Sequence, residues 1–296
     1  MISKEEIINN INSEWQISLS YQKESRYGLC KFIIETCQKI NSSDETASLA
    51  MLLTNFFFIK KCYFNYDKLT LACAAILLSS KTQTSQNKLN EICKEYSNYQ
   101  NKLIGPEGVH KIKEEIGQYE IFLLKQLNFN IPEEFPFDYI YVYADLLYPD
   151  NEQKIIELGI KVANDSYFTY ANNIYKNYVV ALSSLIISAR FLDIPNIFNN
   201  NYKYINNMKK LHKKNITESE FNIALSQYNN QYYLKNENEE NDISKKEEEY
   251  FESLNIYQKL HPFLKEEDLF DCVKLIIEFY EDIEQKGYKN DIKNNK

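Results

Sequence analysis

The strongest constraint on the fold comes from two stretches in which almost every residue is small or apolar. One reads LTLACAAILLSS over residues 69–80, and the other reads VVALSSLIISA over residues 179–189. A helix that is apolar on all sides has to be enclosed by other helices, and both stretches are shorter than the roughly 18 apolar residues of a membrane helix. The similarity of the two stretches predicts a helical unit that occurs twice, although two Ala/Ser/Leu-rich helices can also resemble each other by chance.

The composition and charge of the chain favour an all-α protein and argue against several functional classes. Its 296 residues include only 6 Gly and 6 Pro, fewer than loop-rich or sandwich folds use. The formal net charge of −8 argues against a broad nucleic-acid-binding face, because phosphate neutralisation requires clustered Lys and Arg. The N-terminal sequence MISKEEIINN is too polar for a secretory signal, and no stretch is apolar enough to cross a membrane.

Helical periodicity divides the first half of the chain into amphipathic helices around the enclosed one. Ser42 and Glu45 have capping-box spacing and predict the start of a helix, and Asp67 is predicted to cap the enclosed helix. Pro132 and Pro136 are expected to close the unit. The predicted helices are 24–40, one that starts just after Ser42, 68–80, one around 89–96, and 112–127.

The second half repeats this pattern and contains one long polar interruption. Residues from about 199 to 255 are rich in Asn, Lys and Glu and have too little apolar content to fold alone, so we expect an insertion rather than a third domain. A weak helix is predicted inside it, from Glu218 to Tyr228. The other predicted helices are 137–147, 153–167, 179–190 and 264–280.

Two charged residues stand on otherwise apolar helix faces. Glu120 follows Ile116 and precedes Leu123 and Leu124 at helical spacing, and Lys81 closes the enclosed stretch of the first half. Because Glu and Lys are rarely buried without a partner, this placement predicts an ion pair at the edge of the core that another molecule can contact. The alternative is that each residue only ends an amphipathic face, with Lys81 favourably placed at a helix C-terminus.

No pattern typical of an enzyme, a metal site or a cofactor site stands out in the sequence. The glycine-containing stretch at residues 105–108 lacks the Lys of a phosphate loop, and His110, His212 and His261 do not have metal-ligand spacing. The 6 cysteines form no C-x-x-C pair and are predicted to be buried, reduced thiols. We therefore expect no catalytic residues, no cofactor and no metal.

The order of seven stretches resembles the cyclin fold, and the later ones resemble the second box of the transcription-type cyclins. Within that group the similarity is greatest to cyclins K, L and T, over about residues 21–196 and 264–282. The stretches that carry the resemblance are ESRYGLCKFI, TASLAMLLTNFFF, LTLACAAILLSSK, YEIFLLKQLNFNIPEEFPFDYI, IIELGIKVANDSYFT, VVALSSLIISARFLDIP and EEDLFDCVKLIIEFYE.

The resemblance implies an all-α protein of two tandem five-helix cyclin-box bundles, with the polar insertion in the second. It places an N-terminal arm at residues 1–20, the first box at 21–135 and the second box at 136–290, interrupted by the insertion at about 199–255. One departure concerns the loop after Lys81. The family usually has two acidic residues and then Thr-Pro there, whereas this chain has TQTSQ at residues 82–86, so the family's contacts of that loop do not carry over.

The resemblance also implies a function, that of a non-catalytic regulatory subunit of a cyclin-dependent protein kinase. Lys81 and Glu120 would grip the backbone around the kinase C-helix, and an apolar pocket for a side chain of that helix would be formed by Leu78, Phe129 and Ile131. Removing one member of a buried ion pair costs roughly 3–5 kcal/mol. The transcription-type subtype implies the RNA polymerase II C-terminal repeat as the kinase substrate and a nuclear location, with no direct binding of DNA or membranes.

Three alternatives stay open at the level of sequence. One is a cell-division cyclin, and another is a cyclin-fold scaffold that has lost kinase pairing, which the altered loop at residues 82–86 favours. The third is a general transcription factor of the TFIIB type, which shares the duplicated helical box. The acidic net charge of −8 counts against that third alternative, as does the lack of an N-terminal zinc ribbon.

Overall fold

The computed structural model contains ten helices and no β-strand over the part of the chain that it describes, which confirms the all-α prediction. The described residues are 5, 7, 16–84, 88–100, 105–148, 152–194, 218 and 260–285. No helix among them is long and apolar enough to cross a membrane. In chain order the helices are α1 (Leu19–Lys39), α2 (Asp44–Lys60), α3 (Lys68–Thr84), α4 (Leu89–Tyr99), α5 (Pro106–Gln126), α6 (Phe137–Leu147), α7 (Glu152–Ser166), α8 (Ala171–Ile174), α9 (Asn177–Phe191) and α10 (Glu266–Gln285).

The helix boundaries follow the predicted ones closely in some places and differ in others. Helix α6 has the predicted bounds, 137–147. Helix α5 begins six residues earlier than predicted, at Pro106, because proline is well suited to the first turn of a helix, where its missing N–H is not needed. The predicted helix at 218–228 and the insertion at about 199–255 lie outside the described residues, apart from Glu218.

Side-chain caps fix the starts of α1, α2 and α3, and at α1 the Ser18 hydroxyl accepts from the Tyr21 N–H. Asp67 caps α3 as predicted, because its Oδ1 accepts a hydrogen bond from the Thr70 N–H at 2.6 Å. The predicted cap of α2 is wrong by one residue: Ser43, not Ser42, is the N-cap and accepts a hydrogen bond from the Thr46 N–H at 3.3 Å. The Ser42 N–H instead donates to the Cys37 carbonyl at the end of α1, which leaves the next serine to cap α2.

The chain divides into two compact units, neither of which is continuous in sequence. The first unit comprises Met1–Glu134, Asn164–Lys176 and Phe279–Lys296, and the second comprises Phe135–Ala163 and Asn177–Glu278. Helices α7 and α10 therefore begin in the second unit and end in the first. The first unit thus takes in two segments that lie far along the chain from its other helices.

The core of the first unit is built around α3. Every side chain from Leu71 to Leu78 is at most 4% exposed, because α3 packs against α1, α2, α4 and α5. Aromatic rings fill the space beside it, with Phe58 stacked on Tyr63 at a centroid distance of 4.2 Å. Burying a leucine, isoleucine or phenylalanine side chain contributes roughly 1.5–3 kcal/mol of transfer free energy. The packed core therefore fixes this helix and the positions of the residues at its ends.

Helix α9 is the enclosed helix of the second unit. Its residues from Val179 to Leu185 are buried, and it packs against α6. At Gly159 of α7, an added Cβ atom would lie 3.0 Å from the Leu185 Cδ2 atom, so α7 approaches α9 more closely than a larger residue permits. Tyr178, near the start of α9, stacks on the ring of the buried His261 at 3.7 Å.

Candidate functional site

Lys81 lies in the last turn of α3, where the enclosed helix reaches the surface of the first unit. The helix continues to Thr84, and the Thr82 hydroxyl can donate to the carbonyls of Leu78 at 3.2 Å and Ser79 at 3.0 Å. These bonds turn the Thr82 hydroxyl back onto its own helix, so its hydrogen-bonding capacity is used within the last turn. The ammonium also lies at the negative end of the helix dipole, so the position suits a cation before any partner is considered.

Glu120 of α5 forms the predicted ion pair with Lys81. The Lys81 Nζ atom lies 2.6 Å from Oε1 and 2.9 Å from Oε2 of Glu120, so the ammonium donates to both carboxylate oxygens. The Lys81 side chain is 40% exposed and the Glu120 side chain 13% exposed. At this exposure the pair adds about 0.2–1 kcal/mol to the stability of the chain, less than the roughly 3–5 kcal/mol expected of a fully buried pair.

The pair keeps capacity for further hydrogen bonds. A lysine ammonium has three N–H donors, and an ionised carboxylate offers about four acceptor sites. The two bonds between Lys81 and Glu120 therefore leave at least one donor and two acceptor sites. A donor beside an acceptor matches the carbonyl and N–H groups of a polypeptide backbone, and the exposed side of the Lys81 side chain leaves room for one to approach.

The chain leaves α5 through a turn that holds the Phe129 side chain in solvent. Asn128 and Phe129 have φ values of 51° and 60°, a left-handed conformation that costs a residue other than glycine roughly 1–2 kcal/mol. The Phe129 N–H donates to the Leu124 carbonyl at 2.9 Å and thereby stabilises the turn. Phe129 is 69% exposed. A large aromatic ring held in solvent by a strained turn is typical of a contact surface rather than of a core position.

The other two predicted site residues lie at different depths. Leu78 is buried one turn before Lys81, and Ile131 is half-buried after the α5 turn. All five predicted site residues belong to the first unit. The structure brings Lys81 and Glu120 into direct contact, while a common pocket formed by Leu78, Phe129 and Ile131 stays a prediction.

Ile121 is an exposed apolar residue of α5 that the sequence analysis missed. It follows Glu120 directly and is 54% exposed. The sequence did contain a signal, namely the position of Ile121 around the helix. Ile121 does not share the apolar face of Ile116 and Leu123, both of which are fully buried. Single exposed apolar residues are common on protein surfaces, so Ile121 is of interest because it is adjacent to Glu120 in the chain.

The cysteines and histidines of the described residues show no arrangement typical of catalysis. Burial raises the pKa of the Cys30 and Cys37 thiols to about 12, so both stay protonated and unreactive at neutral pH. His110 is exposed on α5, where its Nε2 lies 3.3 Å from Glu114. No group of His, Cys, Asp and Glu within the described residues could hold a metal ion.

Comparison with known proteins shows what this chain is similar to. Residues 1–132 match the cyclin N-terminal domain. The chain is 20% identical over 179 residues to cyclin-K of Danio rerio, covering 59% of this chain and 42% of the relative. It is also 20% identical over 171 residues to cyclin-K of Homo sapiens, covering 56% of this chain and 30% of the relative. The chain thus spans less than half the length of these curated relatives.

The fold is similar to that of a chain in the crystal structure of the yeast RNA Pol II CTD kinase CTDK-1 complex. The TM-score is 0.58 with 17% sequence identity, and the similarity covers 79% of this chain and 73% of that chain. Together with the helices described above, this likeness confirms the predicted cyclin-box fold. Residues 1–132 are thus similar to the cyclin N-terminal domain, and the similarity to cyclin-K supports the transcription-type resemblance.

Proposed function

We propose that this protein is the regulatory subunit of a cyclin-dependent protein kinase. The observation that carries the proposal is the Lys81–Glu120 ion pair, which lies exposed at the edge of the first unit within the matched cyclin domain. Its remaining donor and acceptors suit the backbone of a partner helix, and the two residues have the charges that the family uses for this contact. The proposal includes the division into a first box at 21–135 and a second box at 136–290.

The partner contact combines this polar grip with apolar surface. Phe129 and Ile121 expose apolar side chains on the turn after α5 and on α5 itself. Burying apolar surface of this kind contributes about 25 cal/mol per Å², while the charged pair supplies orientation and specificity. Leu78 and Ile131 complete the proposed pocket for a side chain of the kinase C-helix.

The mechanism that we propose is a shift of the kinase toward its active conformation. A rigid surface that binds the active position of the kinase C-helix better than the inactive one raises the population of the active state by that difference in affinity. In the active state the Lys–Glu ion pair of the kinase itself is formed. All catalysis then belongs to the kinase, and this chain contributes binding energy alone.

The relatives support a proposal for the substrate and the location. One solved structure with a similar fold is part of an RNA Pol II CTD kinase complex, and the curated relatives are K cyclins. We therefore propose that the kinase phosphorylates the RNA polymerase II C-terminal repeat and that the protein acts in the nucleus. A role in cell division is the alternative, and the identity of the kinase recovered with the protein distinguishes the two.

Affinity purification of the tagged protein from its native cells tests the proposal. We expect a cyclin-dependent kinase to be recovered with the wild type and lost with the Lys81→Ala/Glu120→Ala double variant. The matched control is Lys111→Ala/Glu115→Ala, which removes another charged pair of the first unit, separated by 3.9 Å and highly exposed. Recovery of no kinase with the wild-type protein would contradict the proposal and favour a cyclin-fold scaffold.

A further inference from the structure

The turn that follows α7 is bound through its backbone by side chains of α1 and α2. Arg26 Nε donates to the Phe168 carbonyl at 2.8 Å. Asn55 Nδ2 lies 2.8 Å from the Tyr167 carbonyl and 3.2 Å from the Thr169 carbonyl. Three consecutive carbonyls of a turn are thus hydrogen-bonded by residues more than 110 positions earlier in the chain. We call this arrangement of Arg26, Asn55 and the carbonyls of residues 167–169 the carbonyl lock.

The two donors of the lock depend on the turn as much as the turn depends on them. Arg26 is only 8% exposed and Asn55 only 3% exposed. The Arg26 guanidinium carbon lies 4.0 Å from the centre of the Tyr170 ring, so the cation gains both a carbonyl and an aromatic face from the same segment. A buried charge or amide without such partners is costly, so removing the turn would leave α1 and α2 with unsatisfied polar groups in their interface.

The end of α10 also contacts the segment at residues 164–176. Tyr280 donates a hydrogen bond to the Asp165 carboxylate at 2.9 Å, and the ring of Phe279 stacks on that of Phe168 at 5.3 Å. Asp282 forms an ion pair with Lys23 of α1. The segments at residues 164–176 and 279–285 are therefore held to α1 and to each other by polar contacts as well as by ring packing.

The donors of the carbonyl lock lie on helices that pack directly against the helix of Lys81. Helices α1 and α2 carry the donors of the lock and pack against α3, whose last turn carries Lys81. We infer that the carbonyl lock is a positioning device for the partner-binding unit, so that the competence of the Lys81–Glu120 surface depends on residues from the second half of the chain. Arg26 and Asn55 are positioning residues in this account and contact no partner.

Hydrogen exchange measured by mass spectrometry on the full chain tests the lock without any partner. In Arg26→Ala we expect exchange to accelerate by about tenfold or more across residues 164–176 and also in α1 and α2, because a hydrogen bond to a charged group is lost. Exchange in α9 should be unchanged. Arg190→Ala is the matched control, since Arg190 is an exposed arginine of the second unit, and it should alter neither region.

Further variants keep the test decisive if Arg26→Ala does not fold. Asn55→Leu keeps the branched shape of the side chain but removes both amide donors, and it should accelerate exchange in the same segments. Arg26→Lys keeps a donor for the Phe168 carbonyl and should restore part of the protection that Arg26→Ala loses, which a role in space-filling alone would not predict. Acceleration confined to the few residues around the substituted position would overturn the inference.

A second measurement connects the lock to the partner, and this part rests on the proposed function. We expect Asn55→Leu to lower the recovery of the kinase even though Lys81 and Glu120 are intact, and lowering the temperature should restore it in part. If Asn55→Leu opens the segment in exchange but binds the kinase like the wild type, the positioning role is wrong. If the wild type itself binds no kinase, the proposed function fails while the exchange result still decides the lock.

Discussion

The enclosed helices of the two units, α3 and α9, have similar interiors and different ends. Both are buried along nearly their whole length, and each carries a basic residue in its last turn, Lys81 in α3 and Arg190 in α9. Lys81 is paired with Glu120 of α5 at 2.6 Å, whereas Arg190 is exposed and forms no ion pair within the described residues. A repeated core therefore does not imply a repeated surface, because packing determines the helix interior and leaves its last turn free to differ.

The largest effect that distinguishes the two ends should come from reversing a charge. Glu120→Lys puts a second ammonium where the carboxylate now accepts from Lys81, so we expect kinase binding to weaken by about 100-fold or more. Arg190→Glu should change it by less than about twofold. Binding can be measured by titration with the kinase identified by affinity purification.

Either of two results would contradict this difference between the ends of α3 and α9. Equal losses in Glu120→Lys and Arg190→Glu would mean that both helix ends contact the partner. A Glu120→Lys variant that binds the same partners as the wild type would favour the scaffold alternative.

A second difference lies in how tightly the helices around these cores pack. Gly159→Ala adds a Cβ atom 3.0 Å from Cδ2 of Leu185, a fully buried side chain that cannot move aside freely. We expect this substitution to lower the free energy of unfolding, because overpacking costs about 1–3 kcal/mol and the preference of a helix for alanine offsets only about 0.5–1 kcal/mol of that cost. Urea denaturation with a fluorescence readout measures it, and an unchanged midpoint would mean that the second unit tolerates more volume than its packing indicates.

The corresponding substitution in the first unit should have the opposite sign. At Gly117 of α5 an added Cβ atom meets no heavy atom within 4 Å, and alanine is favoured over glycine inside a helix by about 0.5–1 kcal/mol. Gly117→Ala should therefore raise the free energy of unfolding by that amount without loss of kinase binding. A fall in binding with raised stability would show that the partner approaches α5 at this position.

The smallest effect concerns the pH dependence of the first unit. Burial raises the pKa of the Asp165 carboxyl, and the hydrogen bond from Tyr280 partly opposes this rise. Because the pKa is higher in the folded state than in the unfolded state, the favourable contribution of this group is complete below its unfolded pKa of about 3.9. That contribution is lost as the pH rises through the folded pKa.

Asp165→Asn removes this ionisation and keeps an oxygen that can accept from Tyr280. We expect the variant to be more stable than the wild type at neutral pH. Its free energy of unfolding should also fall less than that of the wild type as the pH rises from acidic to neutral. Denaturation curves at several pH values measure this, with Asp271→Asn at an exposed helical position of the second unit as the control. Parallel pH profiles for Asp165→Asn and the wild type would contradict it.

The sequence predicts the helices and the charged pair because both have local signals. Apolar periodicity marks α3 and α9, and a charge on an apolar face marks Lys81 and Glu120. The left-handed conformation of Phe129 has no such signal, since glycine or asparagine is usual there and only the preceding left-handed residue, Asn128, fits that preference. The membership of residues 164–176 in the first unit was equally hidden, because the side chains of Arg26 and Asn55 bind backbone carbonyls, which every sequence provides.

The discontinuity of the first unit has a consequence for the order in which the protein can mature. A ribosome that has just made Glu134 has produced most of the first unit, yet the segments at 164–176 and 279–285 have still to be translated. At about 5–20 residues per second, residues 167–169 follow Glu134 after about 2–7 s, and the segment at 279–285 follows after about 7–30 s. Until the first of these times α1 and α2 lack their carbonyl partners, and until the second the first unit lacks the end of α10. The nascent chain is therefore expected to need protection from chaperones until residues 279–285 have been made.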